Sequence, residues 1–263
     1  REHDVNIRPW LRVYKSEKNP FKKFLYYLEY NRWMRYEPEI IKQFDSVLTF
    51  TETDSQFLND VARVNHVHCH PRGIEVPEAI SPYASREPLS LLFVGVYNHV
   101  ANRDSVLWLC SEIFPEIQKR SPQATLYVVG KHPPDEVVEM ASHNPGIKVM
   151  GFVPAIEEYY NRMQVFISPV RLGGGIKTKV LHAQSYGMAI VANSIGCEGI
   201  TSVNPSTAII SDTVEGLADG VVALFNNPQQ AASMAERGRE LVVQQYGWTS
   251  VIKNLELFYQ SKK

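Results

Sequence analysis

The chain has 263 residues, 44% of them hydrophobic, and its 27 Lys and Arg are balanced by 28 Asp and Glu. That is enough apolar material for one large core or two modest ones, and the even charge gives no global field of the kind that marks a nucleic-acid binder. Cys69, Cys110 and Cys197 are scattered without a C-x-x-C pair, which argues against a structural zinc site, and no apolar run reaches the ~18 residues of a membrane span.

The opening "REHDVNIRPW" begins at Arg1 and has no start-like feature, so the chain is expected to be the downstream part of something longer. Next, "NPFKKFLYYLEYNRWMRYEPEIIKQF" repeats apolar and aromatic residues at spacings of three and four, which predicts a helix. "DSVLTF" reads as a strand, "TDSQFLNDVARV" as a helix capped by Thr53 or Asp54, and "HVHCH" as a second strand. The stretch "PRGIEVPEAISPYASREP" has four prolines and no apolar period, so it reads as a linker.

After residue 88, buried-strand runs alternate with helical ones. The strands are "LSLLFVG", "ATLYVVG", "IKVMGFV", "VFISPV", "MAIVANSI" and "TAIISD". Between them come the helices "NRDSVLWLCSEIFPEIQKR", "PDEVVEMASH", "AIEEYYNRM" and "IKTKVLHAQSY". Three more helices, "TVEGLADGVVALFNN", "PQQAASMAERGRELVVQQY" and "TSVIKNLELFYQ", close the chain. This alternation is the mark of a doubly wound parallel sheet with helices on both faces, an α/β fold.

Ligands of such sheets lie beyond the carboxyl ends of the strands. Gly173, Gly174 and Gly175 occupy a loop of that kind, flanked by Arg171 and Lys177. Glycine lets backbone approach a ligand closely, and the amides of a following helix favour an anion, so a phosphate or diphosphate is the natural guest. The alternative is a tight turn with solvated cations. Gly95 with Asn102 and Arg103, and Gly130 with Lys131, end two other strands on the same side. No G-x-G-x-x-G fingerprint or P-loop is present, which disfavours a dinucleotide or a triphosphate.

From "LLFVGVYNHVANRDSVLWL" through "LYVVGKHPP", "IKVMGFV", "VFISPVRLGGGIKTKVLHAQSYGMAIVAN" and "GCEGI", the chain resembles retaining GT-B glycosyltransferases of the large family 4, the glycosyl transferases group 1 type, in its triple-glycine-loop members. The resemblance implies two Rossmann-like domains, the first incomplete. Residues 1–85 would be the second half of the acceptor-side domain plus a linker, 86–245 the donor-nucleotide domain, and 246–263 a helix crossing back. About half a domain would precede Arg1, and a sheet face in the first segment would be left open. The implied reaction moves a sugar from a nucleoside-diphosphate sugar to an acceptor hydroxyl, with retention and no metal or other cofactor, in polysaccharide or glycolipid biosynthesis.

The resemblance places His3 and Asp4 as catalytic residues facing the reacting sugar. It makes Gly95, Asn102, Arg103, Gly130, Lys131, Phe152, Val153, Arg171, Gly173, Gly174, Gly175, Lys177 and His182 the donor-binding set. Two glutamates common in such enzymes fall here on Gly174 and His182, so both carboxylates are missing. That keeps alive a non-catalytic nucleotide-sugar-binding protein, and a GT-B-fold epimerase is the third reading. The implied partners are the donor and a sugar or lipid-linked acceptor, with no nucleic acid. In the first 44 residues ten cations against six acids interleave with aromatics, which makes that segment the candidate for peripheral contact with the inner face of a membrane. The expected location is cytoplasmic.

Overall fold

The computed structural model describes residues 5–261. Helices α1 (Ile7–Ser16) and α2 (Pro20–Ile41) come first, then strand β1 (Val47–Thr49), helix α3 (Glu52–Ala62) and strand β2 (Val67–Cys69). β1 and β2 form a two-stranded parallel sheet.

Helix α1 was not expected, and the side chain of its N-cap residue, Asn6, makes no capping bond. Its first amides are taken instead by a distant side chain: the buried Glu37 carboxylate accepts from the N–H of Asn6 at 2.7 Å and of Ile7 at 3.4 Å. The α3 cap is Thr51, not Thr53 or Asp54; its hydroxyl accepts from the Asp54 amide at 3.0 Å, two to three residues earlier than the apolar pattern indicates. In the small sheet β1 is buried along its length, at Val47, Leu48 and Thr49, while His68 and Cys69 of β2 are half-buried. Exposed apolar side chains of this region include Phe21, Phe24, Leu25, Tyr27, Leu28 and Tyr36 on α2, and Phe44 just beyond it.

The second sheet holds β3 (Glu87–Val94), β4 (Thr125–Val129), β5 (Ile147–Gly151), β6 (Met163–Ser168), β7 (Ala189–Ala192) and β8 (Ala208–Ile210), all parallel, in the order β5-β4-β3-β6-β7-β8. Counted from β3 this is 3-2-1-4-5-6, the doubly wound order, with its switch point between β3 and β6. Along β3 the side chains alternate between two cores, Leu91 and Phe93 on one face, Leu92 and Val94 on the other. Helices α4 (Val100–Trp108), α5 (Phe114–Arg120), α6 (Asp135–His143) and α9 (Val214–Asn226) cover the first face; α7 (Ile156–Arg162) and α8 (Thr178–Ser185) cover the second, and α10 (Pro228–Tyr246) reaches both, Ala231 and Met234 in the first core and Val242 and Tyr246 in the second. Burial on both faces is why the inner strands read as apolar runs, whereas the edge strands β5 and β8 are partly exposed.

One detail departs from a plain reading. The helix expected across residues 102–120 is interrupted by a π turn, Leu109–Ile113, where Pro115 supplies no N–H and its ring crowds the carbonyl of Ser111 four residues back. The last helix, α11 (Trp248–Gln260), returns to the small sheet, with the Phe258 ring 5.1 Å from that of His68.

Candidate functional site

At the switch point the chain leaves β3 through Gly95 and leaves β6 through the glycine loop, so two connections diverge and open a crevice. A cleft of about 780 Å3 lies there. It brings together seven of the sequence-assigned residues: Gly95, Asn102, Gly130, Lys131, Phe152, Val153 and Lys177. Its walls carry three lysines, Lys131, Lys177 and Lys179, and no Asp or Glu. Glycine is required at 130, where φ is +138° and a Cβ would stand 1.7 Å from the carbonyl oxygen of Gly95. The ends of β3 and β4 therefore meet backbone to backbone at the cleft floor.

Lys179 is the charged residue of the cleft lining that sequence reasoning missed. From the first turn of α8 its Nζ donates to the Val94 carbonyl at 3.1 Å and to Asn102 Oδ1 at 3.0 Å, and it lies 4.5 Å from the centre of the Phe93 ring. Burial, with Lys177 adding, pushes its pKa down to about 7. The Nζ of Lys177 donates to the carbonyls of Gly174 and Gly175, at 3.1 and 2.7 Å. Burial pushes Lys177 to about 8, against the raising effect of Glu198. Lys131 sits 4.7 Å over the ring of Phe152, which is 65% exposed and offers a flat apolar face to the cleft.

Other assigned residues lie elsewhere. Arg103 does not line the cleft; it pairs with Glu136 on α6 at 2.6 Å. Arg171 pairs with Asp104 at 2.7 Å and stacks 4.8 Å over Trp108. Each cation was drawn off by a carboxylate that spacing alone did not bring near. His182 lies outside the cleft lining, with its ring 6.5 Å from that of Tyr160. Burial, with Arg72 adding, lowers its pKa below the ordinary histidine value, so the ring is neutral at pH 7. His3 and Asp4 lie outside the described residues.

The glycine loop packs beneath α1. Gly173 and Gly175 take φ of +92° and +68°. A Cβ at Gly174 would meet Pro9 Cγ at 2.8 Å, so the room made at that position faces α1 and not the cleft. Arg12 donates to the Gly173 carbonyl at 2.6 Å and to both carboxylate oxygens of Glu198, while Arg8 bridges Glu198 and Asp54. Burial raises the Glu198 pKa, but the Arg12 hydrogen bond and the charges of Arg12, Arg8 and Lys177 outweigh it and leave it below the usual carboxylate range. Nothing in the sequence pairs residues so far apart.

Residues 88–227, more than half of the chain, match the family model of glycosyl transferases group 1. An uncharacterised 44.6 kDa protein from the cps region of Klebsiella pneumoniae is 21% identical over 269 residues, covering 97% of this chain and 66% of the relative. The GDP-mannose-dependent alpha-(1-6)-phosphatidylinositol monomannoside mannosyltransferase of Mycobacterium tuberculosis is 27% identical over 158 residues, 55% of this chain and 41% of that one. The chain thus spans less than two thirds of the length of these relatives. Among solved structures, HepE of Anabaena in complex with UDP matches with a TM-score of 0.71 and 12% identity over 88% of this chain and 68% of that one. S. aureus TarM matches with a TM-score of 0.69 and 15% identity over 86% and 46%. At such identities the structures speak for the fold. Together with the family match, the parallel sheets flanked by helices and the crevice at the switch point identify a GT-B fold, and the chain belongs to the glycosyl transferases group 1 family.

Proposed function

We propose that the cleft at the switch point holds the diphosphate of a nucleoside-diphosphate sugar, and that the sugar is transferred from it to an acceptor hydroxyl with retention of configuration and without a metal. The observation that carries this reading is the cleft lining itself, three lysines with no carboxylate among them. A lining of lysines without acids offers no negative charge of its own to their cationic forms in a partly desolvated place, and an anion is the guest that supplies it.

In the reaction, the bond between the anomeric carbon and the leaving phosphate oxygen breaks while negative charge grows on that phosphate. Lys177 and Lys179, at the start of α8, are the cations nearest at hand to stabilise it, aided by the first amides of the helix. The acceptor oxygen forms the new glycosidic bond on the same face, and its proton passes to the departing phosphate. Phe152 offers its exposed ring for the nucleobase. The roles proposed for His3 and Asp4, polarising and positioning the sugar, rest on the resemblance of the opening segment. The exposed aromatics of α2, among Lys22, Lys23 and Arg35, are the surface proposed to meet an anionic membrane that carries a lipid-linked acceptor in polysaccharide or glycolipid assembly.

Calorimetry with UDP, GDP and ADP tests the site. A relative that uses GDP-mannose and a structural neighbour solved with UDP make those two the first probes. Binding of one of them, weakened about ten- to a hundredfold by Lys177→Ala, is the expected result. Product analysis with the matching sugar nucleotide then separates the readings. A transferase consumes an acceptor, an epimerase changes the sugar without one, and a non-catalytic binder leaves it intact. Absence of binding by all three nucleotides would sink the proposal.

A further inference from the structure

Lys179 has a hydrogen-bond environment that suits it in one protonation state and not in the other. Its Nζ has two acceptors, the Val94 carbonyl and Asn102 Oδ1. A neutral amine has two hydrogens and is satisfied by them; an ammonium has three and needs one acceptor more. Neither acceptor carries charge, and no carboxylate lines the cleft into which the side chain reaches. The groups that face it from the surrounding elements are likewise no source of negative charge. Lys177 comes from the glycine loop and Lys131 from the connection after β4. The Tyr97 hydroxyl, from the connection after β3, is spent on the Val129 carbonyl, and His182, one turn along α8, is neutral. Only the Phe93 face favours the cation.

We propose that diphosphate binding in this cleft is coupled to uptake of a proton by Lys179, whose third N–H then donates to a phosphate oxygen. The inference rests on the nucleotide reading above and deepens it. The proton comes from solvent and goes to Nζ; no other bond changes. A phosphate oxygen supplies both things the site lacks, the third acceptor and a compensating negative charge. The lowered pKa of this lysine, near 7, places the exchange where buffers can follow it.

The consequence is a site that discriminates by charge. Binding an anion to a neutral amine is weak, so affinity rises only when the proton arrives with it. Lys177 shares this behaviour at higher pH, since its pKa lies near 8. Measurements at pH 7.5 therefore weigh Lys179 more heavily.

The test is calorimetry with UDP and GDP at pH 7.5 in two buffers of different ionisation enthalpy, which counts protons taken up per nucleotide bound. The wild type is expected to take up a substantial fraction of a proton more than Lys179→Met and Lys179→Arg, since the nucleotide's own ionisation is common to all three. Lys179→Arg, charged throughout, should keep more of the affinity than Lys179→Met. In the wild type affinity should fall on the order of tenfold per pH unit above 7.5, and in Lys179→Arg less steeply. Should either variant fail to fold, the pH dependence of UDP or GDP affinity in the wild type decides alone. Nucleotide binding with the same proton count in wild type and variants, or a wild-type affinity flat from pH 6.5 to 8.5, overturns the inference. A wild type that binds none of the nucleotides overturns the proposed function instead, so the two failures are distinguishable.

Discussion

Arg12 grips both carboxylate oxygens of Glu198, at 2.5 and 2.7 Å, and at the same time donates to the Gly173 carbonyl at 2.6 Å. One guanidinium thus ties the first helix to two separate loops of the large sheet, and Arg8 doubles the tie through Glu198 and Asp54. The glycine loop beside the cleft is positioned from outside its own sheet. What α1 does is therefore felt at the site.

Glu198→Gln should loosen this clasp. The amide accepts one hydrogen bond per lone-pair face but carries no charge to hold two guanidinium groups, and Glu198 is only 15% exposed in its side chain. A loss of about 1.5–3 kcal/mol is expected, read as a fall in melting temperature by differential scanning calorimetry. The pH dependence has a definite sign. The folded pKa of Glu198 is depressed, so its stabilisation is present above the ordinary glutamate value and is lost as pH falls through the folded one. Wild type and Glu198→Gln should accordingly converge in stability at acid pH, once it has fallen through the depressed folded pKa.

Gly174→Ala gives a second measure of the same contact. The new Cβ would press on Pro9 Cγ at 2.8 Å, so either α1 or the loop must move. Pro9→Ala removes the atom it strikes. In a double-mutant cycle the pair should cost clearly less than the sum of the single changes, with a coupling of about 0.5–3 kcal/mol; simple additivity in urea denaturation would show that the two residues are not in contact.

Arg86 is a buried cation without a carboxylate. It donates to the carbonyls of Tyr160 and Met163 at the end of α7 and of Tyr186 at the end of α8, and it lies 5.6 Å from the centre of the Tyr83 ring. Two helix C-termini thus supply the negative potential that it needs, although burial still pushes its pKa down to about 10. Arg86→Met would leave these carbonyls short of donors and should cost roughly 3 kcal/mol or more. Arg86→Lys should recover only part, because an ammonium cannot fork to three acceptors that a planar guanidinium reaches. Urea midpoints for the two variants check the order, and the residue's distance from the cleft lining predicts unchanged nucleotide affinity in the folded fraction.

How much of this was legible depends on where each signal lives. The inner strands of the large sheet could be read because burial on both faces writes apolar runs such as "LSLLFV" and "VFIS", and the glycines after β3 and β4 marked the side of the sheet where the cleft lies. Helix α1 could not, because its first amides go to Glu37, thirty residues on, and not to the side chain of its N-cap Asn6. Arg103 and Arg171 looked like site cations until Glu136 and Asp104 were seen to claim them. Lys179 was hidden for the opposite reason. A lysine in a helical stretch reads as solvated surface, and only the fold turns it onto the Val94 carbonyl.

Two glycines with positive φ show how the fold decides what a methyl group costs. Gly130 and Gly151 end adjacent strands, β4 and β5, and both take conformations that L residues rarely adopt, at φ of +138° and +64°. At Gly151 a Cβ would find nothing within 4 Å, so Gly151→Ala carries only backbone strain, about 1 kcal/mol. At Gly130 the Cβ would fall 1.7 Å from the carbonyl oxygen of Gly95, inside covalent reach of a backbone atom that no rotamer can move. Gly130→Ala must therefore push the end of β3 away from β4, breaking the hydrogen bond from the Gly95 amide to the Val129 carbonyl and deforming the cleft floor. The expected result is a loss of more than about 4 kcal/mol, in the range where a single change is diagnostic of a specific clash. Purified side by side, Gly151→Ala should melt within a few degrees of wild type and bind nucleotide as wild type does, and Gly130→Ala should be unfolded or bind none. Equal behaviour of the two variants would mean that β3 and β4 do not meet at these glycines.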